Sequence, residues 1–148
     1  MFIVNDFDLG DKYLRAEDII DSLLTKKIWV FTPYAPFIKY LGKGDKIILY
    51  LAGNKRKFFY GSFEIAGSIE ECKFKPENPK ESLIKDIFTL SCPIDQVDKW
   101  PKKVSMYEVL DKLRFIEDRK NWGLHIRQSA RAICREDFDL LYERGHMN

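Results

Sequence analysis

The stretch NWGLHIRQS, from Asn121 to Ser129, gathers an indole, an imidazole, a guanidinium and two carboxamides into one short run. Carboxamides and an imidazole can read the hydrogen-bonding edge of a nucleobase, while indole and guanidinium supply a stacking face and a positive charge. A segment that served only a core would not need so many polar planar groups. Asn121, Trp122, His125, Arg127 and Gln128 are therefore candidate contacts to a base, and Arg127 and Arg131 candidate contacts to phosphate. The plainer alternative is a wet loop ahead of a terminal helix.

A second aromatic run, Trp29, Phe31, Tyr34 and Phe37, crosses from IWVF into the proline-bearing TPYAPF. Flat side chains leaving a strand end can stack on bases, a contact worth ~1–3 kcal/mol per base. The alternative is that Trp29 and Phe31 are core and Phe37 anchors the loop. Lys43, in LGKGDK, is a further phosphate candidate. Tyr50, in KIILYLA, is a ligand candidate, though packing is the commoner use of a tyrosine on such a strand.

Signatures of catalysis are missing. LGKGDK has two glycines but neither a dinucleotide fingerprint nor a Walker loop, and no GxSxG or HExxH occurs. Cys134 lies between Arg131 and Arg135, whose charges could activate a thiol; a small apolar side chain on the inner face of a helix is the favoured reading. Histidines and cysteines lack zinc-ligand spacing, so neither a metal nor a cofactor is expected.

The chain has 148 residues, 45% hydrophobic and 14% aromatic, enough for the core of one domain spanning 1–148. Its net charge of +2 is too small for indiscriminate coating of nucleic acid, so an anionic partner must meet a local patch. Lys39, Lys43 and Lys46 form one such cluster, Lys55, Arg56 and Lys57 another, and Lys99, Lys102 and Lys103 a third. Three scattered cysteines speak against a disulfide framework and for a reducing compartment. No run is long and apolar enough for a membrane span, and MFIVNDFDLGD lacks the features of a signal peptide, so a cytoplasmic location is expected.

The elements that must position these groups follow from periodicity. MFIVN, IWVF, KIILYLA, FFYGSFEIAGSIEE and DIFTLSCPI read as strands, and AEDIIDSLLTK as an amphipathic helix. TPYAPFIKYLGKGD is a loop with one helical turn, GNKRK a turn, and Phe74 to Lys85, with its prolines and charges, a surface excursion. Ser105 and Glu108 predict a capping box opening a helix over SMYEVLDKL, with Phe115 and Ile116 entering a short strand. Helical spacing from Arg127 places Ile126, Ala130 and Cys134 on one face, and EDFDLLYER continues as the terminal helix, leaving RGHMN as a loose tail. Short turns rather than regular crossovers predict an α+β fold, a small curled barrel of five to six mostly antiparallel strands with flanking helices.

The order of these features resembles the EVE domain of the PUA-like superfamily, related to the YTH and ASCH domains. Trp29 is followed by a loop ending at Gly44-Asp45, then KIILYLAG and FFYGSFEIAGS; LRFIEDRKNWGLHIRQSARAICREDFDLL is similar to the family's closing pattern. The likeness runs from Ile28 to the end. It implies a β-barrel with flanking helices and recognition of nucleic acid, RNA or DNA, often through a modified base in an aromatic pocket at the barrel mouth. On that resemblance Trp29 and Phe31 would line one wall, Trp122, His125 and Arg127 the other, and Tyr50 the floor. The expected function is a non-catalytic binding module; the rivals are a small enzyme or enzyme subunit acting on RNA or a nucleotide-like molecule, and a structural subunit of a defence or RNA-processing complex.

Overall fold

A computed structural model describes residues 1–53 and 55–147. Among these residues the strands are β1 (Phe2–Val4), β2 (Phe7–Asp8), β3 (Tyr13–Leu14), β4 (Ile28–Phe31), β5 (Lys46–Leu51), β6 (Phe58–Ile65), β7 (Glu70–Glu71) and β8 (Leu90–Ser105). The helices are α1 (Ala16–Lys26), α2 (Pro79–Ile87), α3 (Met106–Val109) and α4 (Arg135–Gly145). A six-stranded sheet runs in the order β1-β5-β6-β8-β4, with β7 also on β8, and β2 pairs with β3 in a separate ribbon. The α+β expectation holds. The sheet is mixed: β4 and β7 lie antiparallel to β8, whereas β1 lies parallel to β5, with Ile3 opposite Tyr50.

The residues divide into two compact units. The first comprises Met1–Val4, Ile47–Ser62 and Asp98–Asn148; the second comprises Asn5–Lys46 and Phe63–Val97. Asn148, the last residue of the expected loose tail, and Asn54, in the expected turn, lie outside the described residues.

In the second unit, α1 buries Ala16, Ile19, Ile20, Leu23 and Leu24, as the spacing of its apolar residues requires. It ends where Lys27 turns left-handed (φ 55) and its N–H reaches back to the carbonyls of Leu23 and Leu24. The expected surface excursion contains α2. Asn78 caps it by accepting from the Glu81 N–H at 2.9 Å, and Pro79 takes the first turn, where a missing N–H costs nothing. The Glu81 carboxylate accepts in turn from the Glu77 N–H at 2.9 Å and lies 3.4 Å from Lys26 of α1. Prolines that argued against a helix are here its start signal. Asp86 and Ile87 consequently end α2 and do not open a strand.

The first unit is built on Ile3, Ile48, Tyr50, Phe59, Trp100, Val104, Met106, Val109, Leu113, Phe115, Ile116 and Leu141, all buried. The capping box at Ser105 and Glu108 forms as expected. Phe115 and Ile116 are buried in irregular chain, not in a strand. The expected helix from Arg127 is absent as far as Cys134, because backbone is needed there for another purpose. Phe2 bridges Ala130, the Ile3 N–H donates to the Ser129 carbonyl at 2.9 Å, and the Arg131 N–H donates to the Met1 carbonyl at 2.9 Å. That pairing covers the β1 edge, whose donors and acceptors would otherwise face water or another chain.

Two glycines are close-approach points. A methyl at Gly61 of β6 would stand 2.6 Å from the Asp98 carbonyl oxygen, and one at Gly145 would enter the Trp100 indole. The Trp100 indole N–H donates to the Ser62 hydroxyl at 3.2 Å, which fixes the ring that Gly145 approaches.

Beyond Gly145 the chain stays engaged. His146 lies 2.6 Å from the Tyr142 carbonyl through Nδ1 and 2.7 Å from Asp98 Oδ2 through Nε2. Both ring nitrogens can donate only in the imidazolium, so the Tyr142 carbonyl first, and then Asp98, raise its pKa above the ordinary 6.5. A raised folded pKa contributes stability that is fully present below the unfolded value and lost as pH rises through the folded one. An NMR titration of His146 should give a midpoint above the ordinary histidine value, and Asp98→Asn should lower it; equal midpoints in the two proteins would remove Asp98 from the account.

Candidate nucleic-acid interface

The segment carrying most of the candidate residues is held by one buried carboxylate. Asp137, in the first turn of α4 and 1% exposed, accepts from the backbone N–H groups of Arg114 at 2.9 Å and Phe115 at 3.0 Å. Phe115 then presents two surfaces to Arg131. Its carbonyl accepts from Nη2 at 3.2 Å, and its ring lies 5.4 Å from the guanidinium carbon. Nη1 of the same guanidinium donates to the His125 carbonyl at 3.2 Å.

His125 closes the loop on its other side by accepting from the Asp118 N–H at 3.2 Å through Nε2, which is therefore unprotonated in this arrangement. The Asp118 carboxylate accepts from both the backbone N–H and the side-chain amide of Asn121, each at 3.1 Å. Those bonds, the Asn121 amide foremost, lower the Asp118 pKa. Trp122 starts the 3-10 turn Trp122–Ile126, and its indole packs partly buried against the core.

The chemistry expected of NWGLHIRQS thus divides. Asn121, His125 and Arg131 spend their polar atoms on hydrogen bonds within the segment and to Phe115, and so shape it. Arg131, expected on phosphate, is engaged by two carbonyls and a ring. Arg127 and Gln128 are exposed and make no hydrogen bond or ion pair among the described residues. Tyr50 is fully buried, with its ring 5.0 Å from Phe59.

The other candidates belong to the second unit. Trp29 and Phe31 are 6% and 3% exposed, the first with its ring 5.1 Å from Phe63 and the second 6.1 Å from Phe37. Tyr34 is 89% exposed, and Lys43 is exposed as well.

Sequence reasoning missed one member of the first unit, Tyr107, and had a second, Lys57, only as part of a basic cluster. Tyr107 is 62% exposed and meets Trp122 edge-on, centroids 5.7 Å apart at 90°. The Lys57 ammonium lies 5.9 Å from the Tyr107 centroid and 5.8 Å from that of Trp122. The capping box that fixes Tyr107 at the exposed start of α3 was the available signal. On β8, Lys99 and Lys103 of the third basic cluster lie 5.1 and 5.9 Å from the Tyr60 ring, and Lys103 4.9 Å from Phe58. Among the described residues no His, Cys, Asp or Glu cluster could hold a metal. The Cys92 thiol is pushed up to about 12 by burial, so it makes a poor nucleophile. Among the described residues no helix is long and apolar enough to cross a membrane.

Comparison with known proteins agrees with this architecture. The chain matches the EVE domain over residues 16–144. No curated protein matches it in sequence. The DUF55 domain of human thymocyte nuclear protein 1 has a similar fold, with TM-score 0.63 and 14% identity over 99% of this chain and 98% of that one. The YTH domain of the Zygosaccharomyces rouxii MRB1 protein, in complex with N6-methyladenosine RNA, gives TM-score 0.59 and 14% identity over 99% of this chain and 86% of that one. A Rhodopseudomonas palustris protein gives TM-score 0.55 and 17% identity over 84% of this chain and 83% of that one. At such identities the likeness concerns the fold.

Two measurements follow from the burial. Asp137→Ala strands one buried and one part-buried N–H group, and urea unfolding should show a loss of about 3 kcal/mol together with faster amide exchange at Phe115; a loss below about 1 kcal/mol would mean that the clamp is not needed. Trp29→Ala should cost about 3–5 kcal/mol, so ligand binding by that variant is informative only after its folding has been checked by near-ultraviolet circular dichroism.

Proposed function

The chain belongs to the EVE domain family, and on that premise we propose that it is a non-catalytic nucleic-acid-binding module whose ligand is an unpaired base, modified or flipped out, together with its neighbouring phosphates. The observation that carries this reading is the division of labour in the first unit. Asn121, His125 and Arg131 fix the segment by internal hydrogen bonds, while Arg127 and Gln128 project from it unengaged. A site held rigid from behind loses little order on binding, which is the use of a supporting shell. Arg127 meets a phosphate, Gln128 reads a base edge, and the accessible part of Trp122 stacks.

Lysines add to the same electrostatic field. Lys57, Lys99 and Lys103 all belong to the first unit, and each holds its ammonium over an aromatic ring, which narrows the volume that ammonium explores. In the second unit, exposed Tyr34 and Lys43 offer a stacking face and a phosphate contact of their own, on a loop that leaves the strand anchored by Trp29 and Phe31. The YTH domain of similar fold bound to N6-methyladenosine RNA supports methylated RNA as the first ligand to try.

The test is fluorescence anisotropy with single-stranded RNA and DNA, with and without N6-methyladenosine, at several salt concentrations. Affinity should fall linearly in log–log form with salt. Arg127→Gln should weaken every sequence alike and reduce the slope by about 0.7–0.9, while Gln128→Ala should change the preference among bases. Absence of binding to any probe at low salt would refute the reading.

A further inference from the structure

Lys57 has a left-handed backbone, φ 66, which a residue with a side chain adopts only when its surroundings impose it. Two backbone hydrogen bonds do so here. The Lys57 N–H donates to the Leu51 carbonyl at 3.0 Å, and the Lys57 carbonyl accepts from the Met106 N–H at 2.8 Å. A glycine would take the turn without strain. The lysine at this place sends its ammonium to the right-angled corner of Tyr107 and Trp122, with the Tyr107 hydroxyl 3.4 Å away.

Tyr50 supplies an independent sign of a missing partner. Its side chain is completely buried, and its hydroxyl has no hydrogen-bond partner among the described residues. Trp122 of the corner packs against the buried cluster to which Tyr50 belongs, and burial first, with Tyr107 second, raises the Tyr50 pKa. A buried hydroxyl left unbonded is costly, and structures that keep one commonly do so for a ligand or a water.

We propose that the Lys57–Tyr107–Trp122 corner is a nucleotide subsite plugged by the protein's own lysine: an unpaired base displaces the ammonium from between the rings, bonds to the Tyr50 hydroxyl, and hands the ammonium its own phosphate. The inference rests on the nucleic-acid reading above and assigns one nucleotide of that ligand to a defined place. Weak contacts between a cation and two half-exposed rings are exchanged for a charge-assisted bond to phosphate and for base stacking on Tyr107. Plug and ligand compete for the same rings, so removing the plug affects ligands with and without phosphate in opposite directions.

That opposition is the test. The whole chain is titrated with adenosine 5′-monophosphate, adenosine and ribose 5-phosphate, following the Trp122 indole N–H resonance with the buried Trp29 and Trp100 as internal references. The monophosphate should shift Trp122 and bind at least tenfold more tightly than either fragment. Lys57→Gly should bind adenosine several-fold more tightly than the wild type does and lose the preference for the monophosphate. Tyr50→Phe should weaken the monophosphate about tenfold without lowering thermal stability. Equal affinities for ribose 5-phosphate and the monophosphate, or an unchanged preference in Lys57→Gly, would overturn the subsite. Should RNA still bind with its dependence on Arg127 intact, the subsite alone falls; should neither RNA nor nucleotide bind, both readings fall.

Discussion

A carboxylate cut off from water is tolerable only where fixed N–H groups replace the water it has lost. Asp137 meets that condition with the backbone of Arg114 and Phe115, and the first unit depends on the exchange. Without it the Phe115 backbone would lose the bond that fixes it, and Phe115 is what Arg131 rests on. From Arg131 the constraint passes to His125 and, through the Asp118 N–H that His125 accepts, to Asn121. A single charged atom pair thereby sets the path of chain that presents Arg127 and Gln128. The surface residues are free to vary in chemistry because the residues behind them are not.

Placing polar groups in both roles within one short segment explains what could and could not be read from the sequence. The residue types of NWGLHIRQS correctly marked a place where polar groups are concentrated, yet type does not say which way a side chain turns. Asn121, His125 and Arg131 find their partners at Asp118, Phe115 and each other, and that choice depends on a fold in which a distant carboxylate has already positioned the chain. Tyr107 escaped notice, and Lys57 was seen only as one charge of a cluster, for the opposite reason: each is unremarkable alone, and they acquire meaning from a right angle between two rings.

The elements show the same boundary between local and non-local causes. α1, β4, β5, the Ser105 capping box and the core of α4 are decided by periodicity and caps close in sequence, and they stand where periodicity puts them, whereas the single strand expected over FFYGSFEIAGSIEE breaks after Ile65 into β6 and the short β7. α2 was also locally encoded, through Asn78, Pro79 and Glu81, but its prolines were read as breakers instead of as a first turn. The stretch from Arg127 to Cys134 has good helical spacing and is not a helix, because an unpaired strand edge competes for its backbone and wins. β8 continues to Ser105 through Pro93 and Pro101, with a left-handed Gln96 (φ 50) in its course, a combination that propensity cannot anticipate.

The covered edge of β1 also has a meaning in time. Its neighbours are β5 on one side and Ser129 to Arg131 on the other, so this strand waits for chain made long after it. Contacts of such sequence separation form late and slow the search for the native state. During synthesis Phe2, Ile3 and Val4 are therefore an apolar segment without its final cover until Ser129 to Arg131 have been made, the period in which such a segment is open to chaperones or to pairing with another copy. Completion of the fold and completion of the ligand-facing segment become one event, since the backbone that seals β1 is continuous with the residues that carry Arg127 and Gln128.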